Sequence, residues 1–500
     1  MDDCLPPNLL AELAQRAPQL TILTAEQDRA RYATDALTTS RAGLSGFTGQ
    51  VLPGAVALPR TTRDVEALLA WAHQRQVPIV PYGGGTGVMG GAAPVAGGIT
   101  IDLRQMNLIR RIAPEDGIVE VEAGAKLADV DYTLREQGLT LAHDPWSRHI
   151  ATVGGAIATN GMGYTAARYG TMGRQVLGLE VVLPGGKRLE TRPLPVPGPG
   201  PDLNALFIGS EGVLGIITAA VVRAYPLPEE RELLGMTFKG FAPAWAFIRA
   251  LLAQGLTPSV IDLGEEDEGE DDPTVPVISP NGQPQEARAR GRRLEPWLED
   301  ATTVTLFLGY EGPGPVVAAS VDRTRDLAAQ FGAQVLPREE AVRFWQHRHD
   351  TADRFAAHVE AQPDARRRAV GGSLFEYLCL ALPPSQVPGF RREALTILSR
   401  RDMRILEFGL WASREFVSIA FDSPDGDPGK DEDRVHLADT TAAIIDLAHG
   451  MGGSMEFCHG AGLKLAPWMA AERRAGLEVL RTIKQALDPR GIMNPGKLGL

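Results

Sequence analysis

Cysteine is scarce in this 500-residue chain, with only Cys4, Cys379 and Cys458. Three scattered thiols exclude a disulfide framework and a sequence-local zinc motif, and they fit reduced thiols in a cytoplasmic protein. Uninterrupted apolar runs of the ~18 residues that a membrane-spanning helix needs are also missing. The opening MDDCLPPNLLAEL is acidic and without a long apolar stretch, so no secretory signal is expected. Excess positive charge is absent as well. Fifty Lys and Arg against 62 Asp and Glu give a formal net charge of -12, which disfavours nucleic acid as a partner. What the chain does have is 55 glycines and 44% hydrophobic residues. It is long enough for two or more domains and for a core that encloses a bulky ligand.

Residues 8 to 40 read as a polar, helical lead-in. From Val51 short apolar runs (VLPGAVALP, VPIVPY, GITIDL, IVEVEAG) alternate with amphipathic stretches such as DVEALLAWAHQR, a pattern of an α/β or α+β domain. Asp64 stands where a helix N-cap is expected. The loop PLPVPGPGPD at 193–202 and the charged run at 264–293 punctuate the chain, and the second is expected to be solvated or disordered.

The chemistry lies in the glycines. Pro81-Tyr82-Gly83-Gly84-Gly85-Thr86-Gly87-Val88 follows the strand-like VPIV. Successive amides in such a loop make a concavity for anionic oxygens, with a pyrophosphate as natural occupant. It is no P-loop, lacking the Lys-Ser/Thr pair, and no dinucleotide fingerprint, because it runs into further turns and a strand rather than a helix. Alone, such a loop is more often a plain turn. Two further small-residue segments, Thr152-Val153-Gly154-Gly155 and Thr159-Asn160-Gly161-Met162-Gly163, suit either tight packing or a backbone wrapped round a flat, phosphate-bearing ligand. In Leu206–Thr218, glycines interrupt an apolar run, which suggests a bulge or close backbone approach.

In order and spacing, PYGGGTG, DPWSRHIATVGG, ATNGMG and GSEGVLGIIT resemble the FAD-linked oxidase family of vanillyl-alcohol oxidase and p-cresol methylhydroxylase. The nearest branches are the D-lactate and glycolate dehydrogenases and alkyldihydroxyacetonephosphate synthase. The resemblance covers roughly residues 50 to 228 and resumes at the C-terminus. It implies an α+β fold in four parts: a lead-in (1–50), an FAD-binding domain of p-cresol methylhydroxylase (PCMH) type (51–228), an antiparallel-sheet substrate or cap domain (229–448) and a C-terminal segment (449–500) that returns to the first domain. It implies that the backbone of Gly83, Gly84, Gly85, Thr86 and Gly87 holds the FAD diphosphate, with Pro81, Tyr82 and Val88 also among the cofactor-binding residues. Asp144, Pro145, Ser147, Thr152, Val153, Gly154, Gly155, Thr159, Asn160, Gly163 and Tyr164 would line the flavin and ribityl region. Glu211, Gly212, Gly215, Ile216 and Ile217 would meet the adenosine half, with Asn494 near the flavin. Covalent members carry a flavin-linking His after the first glycine pair. Gly85 and Thr86 stand here, so non-covalent FAD is expected.

At the C-terminus, GSMEFCHGAGLK places His459 inside a glycine-rich turn. A histidine there is not needed for packing, and imidazole is suited to take a hydroxyl proton near neutral pH while hydride leaves for the flavin. The resemblance aligns His459 with the catalytic histidine, and Lys464, Asn494 and Lys497 with the family's tail. The metal-binding hydroxy-acid dehydrogenases carry two histidines and a glutamate where this chain has Leu410, Val417 and Cys458. Glu407 and Glu456 lie off the motif, so no metal is expected, Cys458 being taken as a lone thiol. His347, Arg348, His349 and Arg354, taken as one helix, could meet an anionic substrate, with Arg348 the choice for bidentate carboxylate binding. They suit a solvated charged helix as well. Glu376 and Tyr377, on an expected strand, could belong to the core or the site. The expected activity is hydride transfer from a small 2-hydroxy acid or related alcohol to FAD, with an unidentified electron acceptor and a homodimer left open. The alternatives are a transferase of the ether-lipid type and a non-catalytic flavin subunit of an oxidase complex.

Overall fold

A computed structural model describes residues 4–45, 47, 49, 51–196, 198–266, 295–300, 302–361 and 374–500. Two large hydrophobic cores divide them. The first surrounds a four-stranded and a five-stranded sheet. In the four-stranded sheet the spatial order is Thr21–Leu23, Ala55–Leu58, Ile99–Asp102, Ile79–Tyr82. The last three strands are parallel and almost wholly buried, which is why they read as continuous apolar runs rather than as alternation. The lead-in is not separate: Thr21–Leu23 pairs antiparallel with Ala55–Leu58, and Leu13 of the helix Pro7–Arg16 is in this core. The helix Thr62–Arg75 is capped by Thr61, with Asp64 at its third position closing a capping box, so the expected N-cap lies three residues earlier.

The antiparallel five-stranded sheet runs Ile109–Ala113, Ile118–Glu122, Ile216–Arg223, Val176–Val182, Arg188–Glu190. Ile216–Arg223 shifts register between Ile217 and Ala219 and again between Val221 and Val222, neither shift at a glycine; Gly209, Gly212 and Gly215 precede the strand.

The second core lies under an antiparallel seven-stranded sheet, in spatial order Gln334–Val335, Glu230–Lys239, Thr303–Gly312, Val260–Glu266, Arg404–Trp411, Phe416–Ser423, Leu374–Ala381. Along Thr303–Gly312, Val304, Leu306, Leu308 and Tyr310 point into the core at the strand period of two. Residues 264–266 end the strand Val260–Glu266 rather than opening a loop, and residues 267–293 of the charged run lie outside the described residues. The segment FWQHRHDTADRF is not one helix but two, Arg338–His347 and Asp350–Ala361, with Arg348 and His349 at the break.

The C-terminal segment returns to the first domain. The Ile79 amide donates to the Ile492 carbonyl and the Asn494 amide to the Ile79 carbonyl, each at 2.8 Å. That docks the tail on the edge strand from which the glycine loop leaves. Among the described residues, no helix is long and apolar enough to cross a membrane.

Candidate active site

Four segments close around the loop that follows Ile79–Tyr82. The close approach depends on glycine. A methyl group on Gly84 would overlap the Ile150 carbonyl, and one on Gly163 would fall within 2.7 Å of the Asp144 backbone. Thr152 caps the helix Val153–Thr159 through the Gly155 amide (3.3 Å). Asn160 ends that helix in the left-handed region (φ 52°) and accepts a hydrogen bond from the Gly173 amide (3.0 Å).

The result is a cleft enclosing about 1520 Å³ of space, its open mouth included. It brings together Pro81 to Gly87, Pro145, Ser147, Thr152, Gly154, Gly155, Thr159, Glu211, Gly212, Gly215, Ile216, Ile217 and His459 from the expected set. No Lys or Arg is among the described residues lining it, so a diphosphate there would be met by loop amides and small hydroxyls. Those residues suit FAD, which would lie along residues 81–87 and 145–159 and supply hydride-accepting chemistry.

Several expected residues stand elsewhere. Val153 belongs to the first core, and Val88 packs against the second. The Asn494 amide group donates to the carbonyls of Gly91 (2.9 Å) and Glu211 (2.6 Å), bracing the cleft from behind. Asn160 and Gly163 flank the lining residues Thr159, Gly161 and Met162 without lining the cleft themselves. Asp144, Tyr164 and Arg348 form the seam between the two domains. Arg348 Nε donates to Asp144 Oδ2 (2.9 Å), Arg148 pairs with Asp144 Oδ1 (3.1 Å), and His349 Nε2 lies 3.1 Å from the same oxygen. Burial raises the Asp144 pKa, but these cationic partners outweigh it and hold the carboxyl well below the usual range. The Tyr164 hydroxyl donates to the Arg348 carbonyl (3.0 Å). Arg348, expected to bind substrate, therefore spends its guanidinium on Asp144 and the Trp345 ring, 3.7 Å below it. Of its expected companions, His347 pairs with Asp350 and Arg354 with the Thr351 hydroxyl, both outside the cleft lining.

The C-terminal turn is clamped by Glu211, whose carboxylate accepts from the amides of Ala461 (2.7 Å) and Gly462 (2.9 Å). Burial nonetheless pushes Glu211 up to about 7. Lys464 is buried on Glu376 (2.5 Å), which also takes Arg41 (3.1 Å) from the lead-in. Lys497 donates to the Ala93 carbonyl. Along Leu374–Ala381, Glu376 thus serves this network while Tyr377 and Cys379, on the opposite face, line the cleft.

The cleft lining also holds residues that the sequence left unread, Asp35, His143, Trp146, Met162, Cys379, Trp411 and Phe457, together with Tyr377 and Cys458. His143 is buried, its Nδ1 has no hydrogen-bond partner, and burial pushes its pKa down to about 4. His459 keeps 23% of its side-chain surface and lies 3.4 Å from Glu456. Burial lowers its pKa, but Glu456 and Cys379 outweigh that and raise it to about 10. The imidazole expected to take a proton near neutral pH is thus held toward its charged form by these two neighbours. Leu410 and Val417 face each other in the cap core and offer no donor, as expected. Cys458, however, is not a lone thiol. Cys379, Glu456, Cys458 and His459 bring their donor atoms within 4.8 Å of one another.

Residues 53–192 match the family described as FAD binding domain, and residues 227–498 match FAD linked oxidases, C-terminal domain. The chain is 28% identical to glycolate oxidase subunit GlcD of Bacillus subtilis, over 90% of this chain and 89% of that one. It is 30% identical to a probable mitochondrial D-lactate dehydrogenase of Danio rerio, over 89% and 84%. In three dimensions it overlays alkyldihydroxyacetonephosphate synthase with a TM-score of 0.73 at 22% identity, covering 99% of this chain and 86% of that one. With the PCMH-type FAD-binding fold, a glycine-lined cleft fit for FAD, and both halves matched along its length, the chain belongs to the FAD-linked oxidases.

Proposed function

We propose that this oxidoreductase oxidises a 2-hydroxy acid with an apolar substituent, or a closely related alcohol, by hydride transfer to non-covalently held FAD. The observation that carries this is the composition of the inner cleft wall. Met162, Trp411, Phe457 and Tyr377 offer an apolar, aromatic lining beside the polar face of Cys379, Cys458 and His459. The aromatic side holds the substituent and excludes water, which strengthens every polar contact in the site. The polar face meets the oxygens, because no Lys or Arg is among the described lining residues to do so. His459 is the side chain assigned to the substrate hydroxyl: its neutral form takes the hydroxyl proton as hydride leaves for the flavin, and Glu456 and Cys379, which favour its charged form, push the pH at which it does so upward. Relatives named glycolate oxidase and D-lactate dehydrogenase support the substrate class. Non-covalent attachment rests on Gly85 and Thr86 standing where covalent members carry histidine.

Anaerobic mixing with a panel of 2-hydroxy acids of graded side chain, and with the matching alcohols lacking the acid group, tests this. The flavin should bleach with the acids, fastest for apolar substituents. A flavin that no member reduces would contradict the proposal.

A further inference from the structure

Two of the chain's three thiols meet in the cleft, although 78 residues separate Cys379 from Cys458 and they come from different elements. Cys379 lies on the strand Leu374–Ala381, and Cys458 in the turn after the last cap-domain helix. The antiparallel alternation of LFEYLCLA puts Phe375, Tyr377 and Cys379 on one face, and the Phe457 amide, which donates to the Cys379 carbonyl (3.1 Å), draws the turn alongside. Glu456 and His459 complete the group. Cys458 Sγ is 3.2 Å from His459 Nδ1 and 3.5 Å from Nε2, and Glu456 Oε2 is 3.4 Å from His459 Nδ1.

We propose that Cys379, Cys458, His459 and Glu456 form a binding site for a soft divalent cation, zinc by its donor chemistry, on the wall of the flavin cleft. Zinc bonds of ~2.3 Å to sulfur and ~2.0–2.2 Å to nitrogen and oxygen require donors about 3.3–3.8 Å apart at the edges of a tetrahedron. His459 Nδ1 lies 3.4 Å from Glu456 Oε2, inside that range, and 3.2 Å from Cys458 Sγ, just below it, and all four donor atoms fit within 4.8 Å. Two sulfurs and an imidazole select zinc over magnesium or calcium, which prefer oxygen. The turn is built to hold the carboxylate: Glu456 Oε1 accepts from the amides of Phe457 (2.9 Å), Cys458 (2.8 Å) and His459 (3.1 Å), leaving Oε2 for the ion. The ligand set differs from the one the hydroxy-acid dehydrogenase resemblance implied, whose imidazole positions here are Leu410 and Val417.

Binding releases protons. Zinc takes cysteine as thiolate and histidine as neutral imidazole, so loading such a site displaces whatever protons those donors carry to solvent. Cys379, Cys458 and His459 line the cleft whereas Glu456 does not. The ion's cleft-facing side is where an oxygen of the substrate would approach. That consequence rests on the hydroxy-acid proposal; the site itself does not.

The test is metal analysis of the FAD-loaded protein, as isolated and after incubation with Zn²⁺, followed by Co²⁺ substitution. About one ion per chain is expected, with a thiolate-to-cobalt charge-transfer band. Both should be lost in Cys379→Ser/Cys458→Ser, while FAD content stays at the parent level. If the double variant loses FAD, Cys458→Ser alone should weaken or abolish the cobalt band. No stoichiometric metal after incubation, equal metal in the parent and the double variant, or recovery of the two thiols as a disulfide that excludes metal would overturn it. Metal is measured without turnover. An empty site with a reducible flavin therefore removes the metal alone, and a filled site with a flavin that no hydroxy acid reduces removes the substrate proposal alone.

Discussion

Replacing Arg348 with alanine should loosen the seam between the two domains and leave substrate binding nearly unchanged. The Arg348 guanidinium pairs with the buried Asp144 carboxylate at 2.9 Å and keeps only 11% of its side-chain surface exposed. A pair at ~4 Å between charge centres attracts by about 4 kcal/mol at an effective dielectric of 20. Rehydrating the guanidinium partners offsets part of this, and Asp144 is not orphaned, because Arg148 and His349 remain on it. Losing the Trp345 stack adds roughly 0.5–2 kcal/mol. A net loss of about 3 kcal/mol follows, inside the ~3–5 kcal/mol range for breaking buried pairs. At about 2–4 °C per kcal/mol for a domain of this size, the flavin-release transition should fall by roughly 6–12 °C. The assay is thermal release of flavin fluorescence beside steady-state kinetics. An unchanged transition with KM raised tenfold or more would refute the reasoning and return Arg348 to the substrate.

Three further outcomes follow from the same contacts. Gly84→Ala drives a methyl into the Ile150 carbonyl, and overpacking of this kind costs ~1–3 kcal/mol, so FAD affinity measured on the folded apoprotein should drop about 10–100-fold. Asp144 is held below its unfolded value, so the stability it contributes is present above about pH 4 and lost as pH falls through the depressed value. Asp144→Asn should therefore be less stable at pH 7 and show a shallower acid limb in urea titrations below pH 5. Acid precipitation of the parent should leave the flavin in the supernatant; flavin retained in the pellet would show a covalent link.

The sequence made the glycine loops legible because close backbone approach admits no other residue: Gly84 against Ile150 and Gly163 against Asp144 are positions where a single carbon is excluded. The antiparallel cap was legible through its alternation, as in Thr303–Gly312. Arg348 shows the limit. A guanidinium signals an anion, but the chain alone does not say whether that anion is a substrate or Asp144. His459 shows another, since its charge depends on Glu456 and on Cys379, which only the returning strand brings near. Cys379 had a faint signal in the alternation that sets it on the Tyr377 face, yet its pairing with Cys458 is a property of the cap folding back on the cleft. Asp35 was hidden in a lead-in whose strand Thr21–Leu23 joins the FAD domain's sheet.

In the proposed reaction His459 acts on a hydroxy-acid oxygen beside FAD, and stopped-flow flavin reduction under anaerobic conditions tests that role most directly. With an apolar-substituted 2-hydroxy acid the parent flavin should bleach. His459→Ala should retain FAD, whose loop lies on separate backbone, and be reduced about 10²–10⁴-fold more slowly, the usual worth of a positioned catalytic group. Reduction of His459→Ala at the parent rate, or a parent flavin that stays oxidised with every acid and alcohol of the panel, would contradict it.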